Sequence, residues 1–216
     1  MEELRTPPMY VRVLSRVTRP FPDFDFSFIK PVRQRAVESL KLKTGDRVLD
    51  AGCGPGGSFS FLVSAVGASG KVVGVEISPE ATVNARRRIA RHRWENVDVI
   101  AGAAQEVELT GTVDGLLMFA APDVYASEGA LQNILPHVKD DARVAAFGAK
   151  LSSHHLGRIF NPFLKLVFRL ISPRTPMPDY EPYRFLAKYV EGLEVEEYFY
   201  GLMFLVSGSV SKKDRS

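Results

Sequence analysis

The chain is poor in cysteine. Cys53 stands alone among 216 residues, so no intramolecular disulfide can form and a secreted, disulfide-stapled fold is excluded. A reducing, cytoplasmic setting is expected. Long apolar runs are missing too: no stretch approaches the roughly 18 residues of a membrane span. The opening Met1-Glu2-Glu3 lacks the basic-then-apolar order of a secretory signal, and a soluble, unexported protein is expected. Nor is there a large excess of one charge, since 28 Lys and Arg face 25 Asp and Glu for a net +3. That balance does not argue for a nucleic-acid partner, and none is expected. There is no internal repeat and no low-complexity tract, and no metal site is expected.

What is present is a hydrophobic share of 45%, ample for one packed core. From residue 46 onward, short apolar runs alternate with longer helical patterns, as in a parallel sheet wrapped by helices. Strands are expected over 47–51, 72–76, 97–101, 113–119 and 143–148, and helices over 58–66, 79–92 and 127–138. Ser78-Pro79-Glu80 is a strong helix start: a capping hydroxyl, a proline at the first position and a carboxylate near the positive end. Residues 193–200 and 203–209 are both strand-like around Gly201-Leu202, which reads as a hairpin closing the sheet with an antiparallel edge. The expected fold is α/β, a doubly wound and mostly parallel seven-stranded sheet with an antiparallel C-terminal hairpin. One domain is expected, with residues 1–44 as a helical lid, 45–150 as the core, 151–192 as an insertion and 193–210 as the hairpin.

The most informative stretch is Val48-Leu49-Asp50-Ala51-Gly52-Cys53-Gly54-Pro55-Gly56-Gly57, between an expected strand and an expected helix. Glycines at 52, 54 and 56 permit a tight turn and close backbone approach to a ligand, and the helix that follows offers unpaired N–H groups. A nucleotide-like cofactor is implied. The second strand ends at Glu76, whose carboxylate at the strand's carboxyl edge can accept two hydrogen bonds from a ribose diol. Dinucleotide-binding turns share this layout, and Gly57 completes their looser pattern. Asp50 discriminates: a carboxylate just before the turn repels a pyrophosphate but can hold the ammonium of an amino-acid moiety.

Residues 45–150, about half of the chain, resemble the core of the class I S-adenosylmethionine-dependent methyltransferases, a Rossmann-like family. Gly45 through Gly56 resembles its first motif and Val73-Gly74-Val75-Glu76-Ile77-Ser78 its second. The resemblance implies S-adenosylmethionine as cofactor, with Gly52 and Gly54 lining the methionine end, Glu76 on the ribose hydroxyls and Ile77 against adenine. Cys53, Gly56 and Phe119 complete the expected contacts. The family often has Gly-Asp-Ala after the third strand where this chain has Gly102-Ala103-Ala104, so only backbone groups of Ala103 and Ala104 are left to read the adenine edge. One hydrogen bond is worth about 0.5–1.5 kcal/mol net, so binding is expected to be weaker, not absent.

Methyl transfer is an in-line displacement that asks the protein for alignment and exclusion of water. Candidate substrate-side groups are Asp123 and Tyr125 after the fourth strand and His154, beside His155, after the fifth; imidazole titrates near neutral pH and can serve as a base. Turn, capping and surface roles compete for all of them, and Tyr180 and Tyr183 are equally open to packing. No Asn-Pro-Pro-Tyr-like signature follows the fourth strand, which disfavours methylation of a nucleic-acid base or glutamine amide. Residues 154–171 form an apolar and basic helical pattern. The stripe Phe160, Phe163, Leu164, Val167, Phe168 and Ile171 is expected to be buried against the sheet, with a membrane surface as the other reading. The basic cluster Arg86 to Arg93 is expected to be a solvated helix face. The substrate expected is a small, amphipathic or lipid-like molecule, with peripheral membrane contact possible. The alternative is a regulatory protein that keeps the cofactor pocket without chemistry.

Overall fold

The computed structural model describes residues 29–171 and 179–211. Strands β1 (Arg47–Ala51), β2 (Lys71–Glu76), β3 (Val97–Ala101), β4 (Val113–Phe119) and β5 (Val138–Ala149) run parallel. The pair β6 (Val190–Tyr198) and β7 (Met203–Val210) is antiparallel, and β7 joins β5. The sheet order is β3-β2-β1-β4-β5-β7-β6, so the expected seven-stranded mixed sheet is the one formed. The order reverses between β1 and β4, and in open α/β sheets a crevice opens at the carboxyl ends of the strands at such a point.

Helices α1 (Lys30–Ser39), α2 (Phe59–Val66), α3 (Pro79–His92), α4 (Pro122–Tyr125), α5 (Glu128–Ile134), α6 (His155–Arg158) and α7 (Asn161–Ile171) connect and flank the strands. Because successive strand residues point to opposite faces, the sheet feeds two cores. Val48, Leu117, Ala145 and Phe147 pack with α1, α2 and Ala85 of α3 on one face. Leu49, Leu116, Met118, Val144 and Ala146 pack with α4, α5 and Phe204 on the other. Helix α3 starts as its sequence implies: the Ser78 side chain accepts from the Ala81 N–H at 3.3 Å, with Pro79 in the first turn.

Three expectations need correction. The helix expected over 127–138 ends at Ile134, because Pro136 permits only the single tight turn Leu135–His137 before β5 begins at Val138, paired with Val113. The hairpin loop is longer than two residues, running from Phe199 to Leu202 with Phe199, Tyr200 and Gly201 at positive φ. The third concerns 154–171, which is two helices whose described side chains lie largely outside the core. Pro162 has no N–H to continue the earlier turn, and Asn161 is instead bound in both directions to Ser152, accepting from its N–H and donating to its carbonyl, both at 2.9 Å. Phe160 and Phe163 are 52% and 65% exposed, whereas Leu164 and Phe168 are half-buried; the side chains of Val167 and Ile171, also in the expected stripe, lie outside those described.

Of the expected lid, residues 1–28 lie outside the described residues, and α1 is packed on the sheet through Val32, Arg33, Ala36 and Val37. Among the described residues, no helix is long and apolar enough to cross a membrane. Arg86, Arg87, Arg91 and His92 of α3 and its C-cap Arg93 are exposed and Arg88 is half-buried, so most of the cluster is a solvated face.

Candidate functional site

The site follows from strand register. Asp50 of β1 lies opposite Gly74 of β2, and Glu76 is two residues further along, so the two carboxylates project from the same face at the same edge. The turn between β1 and α2 folds over them. Its Gly54 N–H donates to Glu76 Oε2 at 2.8 Å, and the Ser78 N–H donates to Glu76 Oε1 at 2.7 Å. Glu76 is buried, which raises its pKa; the bonds from Ser78 and Gly54 oppose the shift and Asp123 adds to it. Asp123 is itself raised by burial.

Asp50 is fully buried and neither carboxylate oxygen accepts a hydrogen bond among the described residues. Burial pushes its pKa up to about 7, with the Arg33 guanidinium pulling down and Glu76 pushing up. A buried carboxylate with open acceptors is costly unless something supplies the missing charge or donors. Arg33 is part of that supply. It comes from α1, lies 4.6 Å over the Phe119 ring, and occupies the space where a side chain at Gly57 would sit. Nothing in the sequence near the turn marked Arg33, since it is a cation inside an ordinary helical pattern.

The glycines differ in what they make room for. A Cβ on Gly52 would lie 2.4 Å from the Ala121 Cβ, and one on Gly56 would lie 2.6 Å from the Phe59 ring. Those two exist for packing and for their positive φ. A Cβ on Gly54 would meet nothing within 4 Å. The space in front of Gly54, beside the edge of Glu76, is therefore open and forms a cradle, with Asp50 enclosed on the strand that leads into the turn. Its chemistry, a buried anion at one end and a ribose-suited carboxylate at the other, fits the amino-acid and ribose moieties of S-adenosylmethionine.

The other expected contacts divide. Ile77 is 45% exposed beside Glu76, open to a ring. Cys53 is buried, its thiol donating to the Gly54 carbonyl at 3.6 Å and its pKa pushed up by burial. The Phe119 ring is stacked on Phe147 at 4.5 Å and covered by Arg33, so it supports the site from beneath. Ala104 is buried, and its carbonyl is taken by the Asn133 side chain at 2.9 Å, which also holds the Val107 carbonyl.

Tyr125 is corrected by the structure. It is 2% exposed, packs edge-on against Phe204 with 5.4 Å between rings, and its phenol pKa is raised by burial. It is a core residue and out of reach of a substrate. Tyr183 is also buried, against Phe204 at 5.0 Å, whereas Tyr180 is exposed. His154 sits past the end of β5, where its Nε2 lies 2.6 Å from Glu197 Oε2; the other Glu197 oxygen accepts from the Lys150 ammonium. Lys150 holds the Glu197 pKa below the usual carboxylate range, aided by His154. This trio was not visible in the sequence, because Glu197 arrives from β6.

A family model described as a methyltransferase domain matches residues 42–162, more than half of the chain. The chain belongs to the methyltransferase-domain family. The curated relatives it matches differ in the acceptor their names carry. It is 36% identical over 89 residues to protein-L-isoaspartate O-methyltransferase 2 of Archaeoglobus fulgidus, covering 40% of this chain and 41% of that one. It is 28% identical over 115 residues to the aklanonic acid methyltransferase DauC of a Streptomyces species, covering 51% and 52%. The chain thus spans about half or less of the length of these relatives. The S-adenosylmethionine-dependent O-methyltransferase of Thermotoga maritima shares the fold with a TM-score of 0.64 at 17% identity, covering 87% of this chain and 67% of that one.

Proposed function

We propose that this methyltransferase acts on a small amphipathic or lipid-like molecule at the carboxyl edge of its sheet. The cofactor supplies an electrophilic methyl group on a sulfonium; the chain supplies position and a dry, charged cradle. In this reading Asp50, with Gly52 and Gly54, holds the amino-acid end, Glu76 accepts from the ribose hydroxyls, and Ile77 lies against adenine with the backbone of Ala103 and Ala104 at its edge. Cys53 and Gly56 contribute turn backbone, and Phe119 with Arg33 forms the floor. His154 is the base, its imidazole oriented by Glu197, which Lys150 in turn holds. Asp123 lines the mouth.

The observation that carries the substrate class is the apolar exposure of α6 and α7 next to that edge, an unusual cost for a surface that meets only water. Relatives that modify protein and rRNA make those acceptors the competing outcomes. Incubation with methyl-labelled cofactor and fractionated cell extract is expected to place label in the organic-extractable fraction. Label found only in protein or RNA overturns the reading.

A further inference from the structure

The segment after β5 carries a surface that the methyl-transfer site does not use. Leu156, Ile159, Phe160, Phe163, Leu166 and, on the β6–β7 loop, Tyr200 are 61%, 71%, 52%, 65%, 54% and 68% exposed. The loop and α6 form one surface: Ser152 Oγ donates to the Tyr200 carbonyl at 2.6 Å, and the Gly157 Cα faces that carbonyl and Ser152 closely enough that no side chain fits. Tyr200 is held outward at φ 56, a left-handed conformation that a bulky residue adopts at a cost.

Among its described side chains, helix α7 divides by face. At 100° per residue, Asn161, Leu164 and Phe168 share the face toward the body, and they are buried or half-buried. Phe163 and Leu166 lie on the opposite face. Lys165 and Arg169, four residues apart, form an exposed cationic stripe at its margin. Arg158 is exposed one turn earlier. The sequence from Leu151 to Pro178 contains no Asp or Glu at all, in a chain that otherwise nearly balances its charges. The acids that border this segment are paired: Asp179, whose carbonyl accepts from the Leu151 N–H, with Arg184, and Glu197 with Lys150 and His154.

Apolar side chains bordered by cations, with acids excluded, are complementary to one kind of surface: an anionic membrane, whose acyl boundary accepts the rings and whose headgroups pair with the cations. We propose that α6, α7 and the β6–β7 loop form a docking face that seats this protein on anionic lipid. The face lies beyond the carboxyl end of β5, on the same edge as the cradle, so docking turns the mouth of the site toward the lipid. This deepens the amphipathic-substrate reading and rests on it for its purpose, but its test does not require methyl transfer.

The full chain is mixed with vesicles of phosphatidylcholine alone and of phosphatidylcholine with phosphatidylglycerol, and bound protein is read by flotation. Recruitment to the anionic vesicles, weakening as salt is raised, is expected. Replacing Arg158, Lys165 and Arg169 by Gln is expected to lower partitioning roughly fivefold per charge, on the order of a hundredfold together. Phe163→Ser with Leu166→Ser is expected to abolish it, while the melting temperature and S-adenosylhomocysteine affinity stay at their unsubstituted values, since these side chains are exposed. Failure of the unsubstituted chain to float with anionic vesicles overturns the proposal, as does undiminished binding by the Gln variant. Light scattering that shows a dimer in the absence of lipid, split by the Ser pair, assigns the face to a second copy and also overturns it. Label in the aqueous fraction of the extract experiment, with flotation intact, defeats the substrate reading and leaves the docking face standing.

Discussion

Gly54 donates its backbone N–H to Glu76 at 2.8 Å, so the turn that makes the cradle is clamped by the carboxylate assigned to the ribose. Turn geometry and ligand recognition therefore share one side chain. Glu76→Ala removes both and is expected to weaken S-adenosylhomocysteine binding by about 1.5–3 kcal/mol, the worth of hydrogen bonds to a charged group, and to lower the melting temperature. Calorimetric titration and thermal melting read the two effects separately. Unchanged affinity would remove Glu76 from the cofactor site.

Gly54 and Gly52 separate ligand from packing. A Cβ at Gly54 meets no protein atom within 4 Å, whereas one at Gly52 collides with Ala121. Gly54→Ala is expected to cost about 1–2 kcal/mol of stability from its positive φ but at least tenfold in cofactor affinity. Gly52→Ala is expected to destabilise by more than that through overpacking. Equal affinity in Gly54→Ala and the unsubstituted protein would show that the cradle is elsewhere.

Asp50 predicts a pH dependence. Its pKa rises from 3.8 to about 7 on folding, so between those values the folded chain holds a proton that the unfolded chain has released. The associated stability is present in full below 3.8 and is lost as pH rises through about 7. Asp50→Asn, which keeps the neutral shape, is expected to gain on the unsubstituted protein across that window in thermal melts. A ligand ammonium favours the ionised carboxylate, so cofactor affinity is expected to fall about tenfold per unit below pH 7, and Asp50→Asn should flatten this profile. Parallel profiles for the two proteins would refute the assignment.

His154 and Tyr125 are expected to behave oppositely. His154→Ala should lower turnover by about 100-fold, the lower end for general-base catalysis, at unchanged cofactor affinity, and Glu197→Gln should move the pH optimum of turnover. Full activity in His154→Ala would leave alignment as the sole catalytic device. Tyr125→Phe should remain active, whereas Tyr125→Ala should cost about 3–5 kcal/mol as a core truncation, measured by denaturant unfolding.

Local pattern alone determined the central strands: the largely apolar runs over 47–51 and 113–119 appear with those bounds, because a strand buried on both faces needs a mostly apolar run whatever its neighbours. The run over 97–101 appears with its bounds too, although it is a half-exposed edge strand. The turn was equally legible, since positive φ at Gly52, Gly54 and Gly56 is written in residue type. What lay outside local pattern was which side chains meet. Arg33 over Phe119, Glu197 between Lys150 and His154, and Tyr125 under Phe204 each join segments far apart in the chain, and strand order and register alone bring them together. Periodicity likewise marked an apolar stripe on residues 160–171 but could not say whether a partner surface was there to cover it, because amphipathicity reports that a face seeks an apolar neighbour and only the packed structure supplies or withholds one.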